Sequence, residues 1–173
     1  VNTASRYFLA LLPDAGARAR LSRVALSGGA RRVAAQDLHL TLAFLGTLNA
    51  ESPGALLAAL AGSLPGPIDV SLDALENWEG SRVACAVGAC PKAQDLAQAL
   101  WVPLRRLGYT GPDKPLRPHV TLARGLRRPL SAGSALVPPV AWRSGELVLM
   151  ASLGGALPGE PRYRQLGSLA LSG

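Results

Sequence analysis

The chain has 173 residues, 49% of them hydrophobic and 17% charged, with a formal net charge of +7. That balance excludes a disordered polyelectrolyte and supplies enough apolar surface for a packed core. A sequence pI near 10.4 suits a polyanionic partner, though charge alone carries no specificity.

Taken in chain order, residues 5–12 read as a strand stopped by Pro13. Asp14 is placed to cap a helix through Ala17, Leu21, Val24 and Ala25 that closes at Gly28-Gly29. A basic pair, Arg31-Arg32, then leads over the surface into a Leu- and Thr-rich strand ending at Gly46. Ser52-Pro53 start a short helix carrying Leu56, Leu57 and Leu60. Residues 68–75 and 82–87 form two strands turned through Asn77-Trp78-Glu79-Gly80. Pro91 opens the clearest helix, with Leu96, Leu100, Trp101, Leu104 and Leu107 on one stripe and Pro103 expected to kink or end it. A Pro-rich loop over 110–118 delivers a second Thr-Leu strand, and strands near 140–143, 146–153 and 162–169 complete the chain. This is an α+β pattern over a single domain, 1–173.

The two histidines of the chain each open the same run: His39-Leu40-Thr41-Leu42 and His119-Val120-Thr121-Leu122, 80 residues apart by 119 − 39. Strand side chains alternate faces, so each run buries two apolar residues and shows a His-Thr pair on the other side. If the halves face one another, two imidazoles and two hydroxyls converge. One ring can then accept a proton while the other donates, and the hydroxyls can hold a phosphate. Five residues past each histidine stand Phe44 and Arg124, which strict alternation puts on the wrong face unless the strand bends or ends near Gly46 and Gly125.

These runs, with Arg117-Pro118 before the second and Arg6-Tyr-Phe-Leu-Ala-Leu-Leu-Pro13 at the start, resemble the paired signatures of the 2H phosphoesterases. The branch they resemble is the RNA 2′,3′-cyclic phosphodiesterases, also called 2′-5′ RNA ligases. The resemblance implies a bilobed fold: two pseudo-symmetric antiparallel sheets flanked by helices around a central cleft. It implies metal-independent hydrolysis of RNA 2′,3′-cyclic phosphate ends to 2′-phosphates, reversible as ATP-independent 2′-5′ ligation. It gives His39 as general acid and His119 as general base, with Thr41 and Thr121 on the non-bridging oxygens. It also brings Arg124 and Phe44 to the substrate, with Arg117 a further candidate for phosphate and Tyr163 and Ser152 weaker ones. Phe8 reads as core, and the pairs Arg31-Arg32, Arg105-Arg106 and Arg127-Arg128 as diffuse attraction for a nucleic acid backbone.

Other chemistries are set aside by what the chain lacks. There is no Gly-x4-Gly-Lys-Ser/Thr loop, no Lys-x-Asp-Gly of nucleotidyl-transfer ligases and no acidic cluster beside the histidines. No cofactor and no metal are therefore expected. Cys85 and Cys90 lack the second pair that a zinc site needs and read as buried free thiols. With no apolar run of ~18 residues and no leader pattern, the expectation is a cytoplasmic monomer with no membrane contact, whose partner is RNA bearing a cyclic phosphate or a 2′-5′ linkage. Two alternatives stay open: the same site acting on small cyclic nucleotides or 2′-5′ oligoadenylates, and a non-catalytic RNA-binding module.

Overall fold

The computed structural model describes residues 6–26, 29–49, 51–128, 134–154 and 160–172. Its strands are β1 (Tyr7–Leu11), β2 (Arg31–Arg32), β3 (Leu40–Gly46), β4 (Ile68–Trp78), β5 (Val83–Val87), β6 (His119–Arg124), β7 (Ala135–Ser144), β8 (Glu146–Ser152) and β9 (Tyr163–Ala170). Three α-helices interleave with them: α1 (Ala15–Arg23), α2 (Pro53–Leu60) and α3 (Pro91–Arg106).

All nine strands among the described residues belong to one antiparallel sheet, ordered β7-β4-β5-β6-β3-β1-β8-β9, with β2 on the flank of β6. The two related halves, β7-β4-β5-β6 and β3-β1-β8-β9, are thus joined edge to edge rather than standing as separate sheets. The join is narrow: β3 and β6 share the single register pair Leu40 with Val120. Beyond it β2 takes over the edge of β6, pairing Arg31 with Arg124 and Arg32 with Ala123. An irregularity follows the seam in both motif strands, and such irregularities bend and twist a strand, which accounts for so short a contact.

One face of the sheet carries the helices. Leu40 and Leu42 from β3, and Val120 and Leu122 from β6, pack in one core with Leu21 of α1, Leu56 and Leu60 of α2, and Leu96, Leu100 and Leu104 of α3. Each such Leu contributes ~1.5–3 kcal/mol on burial, so this face fixes the register of the motif strands. Gln94 of α3 donates from Nε2 to the carbonyl of Leu116 (3.0 Å), anchoring the loop that feeds β6. The other face holds smaller apolar clusters, Phe8-Ala10-Val148-Met150 in one half and Val83-Cys85-Val87 in the other. Both histidines lie on that second face.

Two local expectations change. The helix capped by Asp14 ends at Arg23, short of Val24 and Ala25, because Arg32 Nη2 satisfies the freed carbonyls of Ser22 and Val24, both at 2.7 Å. Ser5 and Gly28, expected at element ends, lie outside the described residues. The expected turn at 77–80 begins later: β4 runs through Trp78, a 3-10 turn covers Glu79–Ser81, and Arg82 takes a left-handed φ of 53° before β5. As the stripe through Leu104 and Leu107 predicts, α3 runs past Pro103 to Arg106, since a proline so near the end removes one donor while Leu104 stays fully buried behind it. No described helix is long and apolar enough to cross a membrane.

Candidate active site

The motif strands share an irregularity at the same step. Between β1 and β3, Ala10 faces Thr41 and Leu9 faces Ala43, leaving Leu42 as an extra residue. Between β5 and β6, Cys85 faces Thr121 and Ala84 faces Ala123, leaving Leu122 extra. Each is a β-bulge, which advances the alternation by one residue. Leu42-Ala43 and Leu122-Ala123 are accordingly buried as adjacent pairs. The next residues, Phe44 and Arg124, return to the face of the His-Thr pairs. Bulges, rather than a bend at the glycines, therefore bring position five to the site; Gly46 (φ 69°) and Gly125 (φ 70°) end the strands afterwards.

The antiparallel pair Leu40–Val120, continued one residue to each side, sets His39 across from Thr121 and Thr41 across from His119. The rings are held alike. His39 Nδ1 meets the carbonyl of Asp37 at 2.7 Å, and His119 Nδ1 meets the carbonyl of Arg117 at 2.8 Å. A carbonyl only accepts, so each Nδ1 carries the hydrogen and each Nε2 is the nitrogen left to exchange a proton. Burial lowers both imidazole pKa values below 6.5; the carbonyl contacts oppose that shift, and the nearby Arg124 charge adds to it. The charge of His119 further disfavours protonated His39.

Each imidazole also has an aromatic wall and an anchoring carboxylate. The His39 ring packs on Phe8 (centroids 4.7 Å apart) and edge-on to Tyr163 (5.0 Å), while Phe8 and Tyr163 meet at 5.1 Å. Asp37, 2% exposed, accepts the backbone N–H of Arg162 at Oδ1 (2.9 Å), tying the carbonyl that orients His39 to the strand that presents Tyr163. His119 packs on Trp78 at 4.4 Å, and Trp78 Nε1 donates to Glu76 (3.0 Å). Glu76 also holds the guanidinium of Arg117, whose carbonyl orients His119.

The expected residues therefore sort clearly. His39, His119, Thr41, Thr121, Arg124 and Phe44 share one face, Phe44 being 54% exposed. Arg117 sits beside the site with its side chain engaged by Glu76. Tyr163 touches His39, and the Ser152 hydroxyl accepts the N–H of Arg6 at 3.1 Å. Phe8 is buried as expected, yet on the site face. Sequence reasoning missed Asp37, Glu76 and Trp78. Asp37 and Arg117 both stand two residues before a histidine, the one signal available; they act through backbone carbonyls, which no residue type announces. Cys85 and Cys90 are buried and free. Among the described residues, no three His, Cys, Asp or Glu side chains gather as metal ligands.

The paired histidines on a continuous antiparallel sheet define a family. The chain belongs to the 2′-5′ RNA ligase superfamily, whose model matches residues 12–156. It is 40% identical over 97 residues to the RNA 2′,3′-cyclic phosphodiesterase of Escherichia coli K12, a segment covering 54% of each chain; the match spans about half the length of that curated relative. Among solved structures it is similar to E. coli LigT complexed with 3′-AMP, with 29% identity and a TM-score of 0.79 over 98% of this chain and 99% of that one. It is also similar to TT0787 of Thermus thermophilus, with 27% identity and a TM-score of 0.78 over 97% and 98% of the two chains.

Proposed function

We propose that the protein hydrolyses the 2′,3′-cyclic phosphate end of RNA to a 2′-phosphate without a metal ion. The observation that carries this reading is the matched commitment of both Nδ1 atoms to backbone carbonyls, which leaves two Nε2 atoms on one face of the sheet. In the proposed reaction His119 Nε2 takes a proton from water as its oxygen attacks phosphorus. The bond from phosphorus to the ribose 3′ oxygen breaks, and that oxygen receives the proton of His39 Nε2. Thr41 and Thr121 donate to the non-bridging oxygens, where charge grows in the transition state. Arg124 adds a cation beside them, and Phe44 offers an exposed ring for a base. Arg117 acts through its carbonyl, with its guanidinium taken by Glu76. The solved complexes of E. coli LigT with 3′-AMP and with phosphate support a site for a ribose phosphate and leave the choice of ribose oxygen to the test below. Run backwards, with a 5′-hydroxyl in place of water, the same site would form a 2′-5′ linkage.

The test is a short RNA ending in a 2′,3′-cyclic phosphate, incubated with EDTA and without ATP. Conversion to a 2′-phosphate by the wild type, and by neither His39→Ala nor His119→Ala, is the expected result. A 3′-phosphate product would reverse which ribose oxygen leaves. Turnover confined to mononucleotides would favour the small-nucleotide alternative.

A further inference from the structure

Arg31 and Arg124 are register partners on neighbouring strands, in a row that runs Trp78, Val83, Arg124, Arg31 across β4, β5, β6 and β2. Directly paired residues point to the same face, so Arg31 stands on the site face beside Arg124. Like charges placed opposite each other destabilise a sheet. Here the repulsion is uncompensated: among the described residues neither guanidinium has a carboxylate partner. The surrounding arginines contrast with them. Arg32 grips the carbonyls of Ser22 and Val24, Arg82 Nε donates to the carbonyl of Leu126 (2.9 Å), and Arg117 is held by Glu76. Two arginines side by side on the site face, bound to neither acid nor carbonyl among the described residues, make a doubly cationic row suited to an anion.

The reacting phosphate, held by the His-Thr pairs with Arg124 beside them, leaves Arg31 unaccounted for. Arg124 lies three residues past Thr121 but, with the Leu122 bulge, only two ladder steps along the strand, about 7 Å at 3.2–3.4 Å per step, and Arg31 lies one strand to the side. That offset is about the reach of one extended nucleotide. We infer that Arg31, extending the cationic row outward from Arg124, clamps the phosphodiester on the 5′ side of the terminal nucleotide, making the site selective for RNA chains over free cyclic mononucleotides. This deepens the proposed phosphodiesterase reading and rests on it. Arg31 thus has a specific role where its sequence context promised only diffuse attraction.

The test compares a trinucleotide ending in a 2′,3′-cyclic phosphate with the corresponding nucleoside 2′,3′-cyclic phosphate, which has no second phosphate. Arg31→Ala should lower the trinucleotide-to-mononucleotide ratio of kcat/KM about tenfold, through KM. It should also flatten the salt dependence of trinucleotide KM by about 0.7 in log–log slope, the value for one single-strand phosphate contact. Arg31→Lys should restore part of the ratio. An unchanged ratio, whether both substrates suffer equally or neither does, overturns the clamp. If the wild type turns over neither substrate, the phosphodiesterase reading has failed, and the clamp is then read by direct binding. In that case Arg31→Ala should weaken a labelled trinucleotide 3′-phosphate about tenfold relative to a nucleoside 3′-phosphate, and equal affinities for wild type and variant overturn it.

Discussion

Leu42 and Leu122 are the extra residues of two β-bulges set one step past the threonines of the paired motifs. They shift the strand phase so that a position five residues past each histidine faces the site, and they hold Arg124 where its charge lowers both imidazole pKa values. Arg124→Gln should therefore raise both histidine pKa values, read by NMR titration of the ring protons. It should also lower kcat/KM on a cyclic phosphate by about 10–100-fold, the worth of a charge-assisted hydrogen bond. Unmoved titrations would separate Arg124 from the site.

The pH dependence follows from the direction of the histidine shifts. Burial, first among the causes, holds both rings below 6.5. The reaction needs one ring protonated and one neutral, and kcat/KM reports the free enzyme. Its maximum should fall below pH 6.5, with activity declining as the pH rises because the acid form is lost. Stability responds to the same shifts. The unfolded chain protonates first, so the contribution of the neutral rings is complete above pH 6.5 and is lost as the pH falls from there through the folded pKa values. Urea midpoints measured from pH 8 to pH 5 should drop accordingly, and the drop should shrink in a His39→Asn, His119→Asn double variant.

Much of this site was legible. The His-apolar-Thr-Leu echo located both strands, because a period of two with Leu or Val at every second position is a strong signal. The order of helices and strands followed from Pro and Gly punctuation and from the stripe on α3. What stayed hidden is information that lives in backbone groups or pairing register. The bulges at Leu42 and Leu122 show in the sequence only as an apolar pair where alternation should continue. The short strand Arg31–Arg32 is too brief for any periodicity. Trp78 read as part of a turn because Glu79-Gly80 follows it, whereas its partner Val83 keeps it in the sheet.

Glu76 couples Trp78, Arg117 and, through the Arg117 carbonyl, His119. As a positioning residue it should affect turnover more than folding. Glu76→Gln is expected to lower kcat about tenfold and to move the titration of His119 more than that of His39. The ion pair is largely exposed, so thermal stability should change by no more than about 1 kcal/mol. Equal displacement of both histidines, or a large loss of stability with kcat intact, would assign Glu76 a merely structural part.

Cys85 stands beside Thr121 as its register partner on β5, with Sγ 3.9 Å from the threonine hydroxyl, and burial pushes its pKa up to about 11. A buried neutral thiol is a poor nucleophile. Iodoacetamide at pH 8 should leave Cys85 unmodified in the folded protein and alkylate it on unfolding in guanidinium. Rapid labelling of the native protein would contradict the burial of Cys85 beside Thr121.

The central claim is that His39 protonates the departing 3′ oxygen while His119 activates water. A cyclic substrate with sulfur in place of that 3′ oxygen tests it directly, because a thiolate leaves without a proton. The measurement is kcat/KM on the oxygen and sulfur substrates for wild type, His39→Ala and His119→Ala. The account predicts a loss of about 10²–10⁴-fold for both variants on the oxygen substrate, with sulfur restoring most of the activity of His39→Ala and none of that of His119→Ala. Rescue of His119→Ala instead would exchange the two roles, and rescue of neither would contradict acid catalysis by the paired histidines.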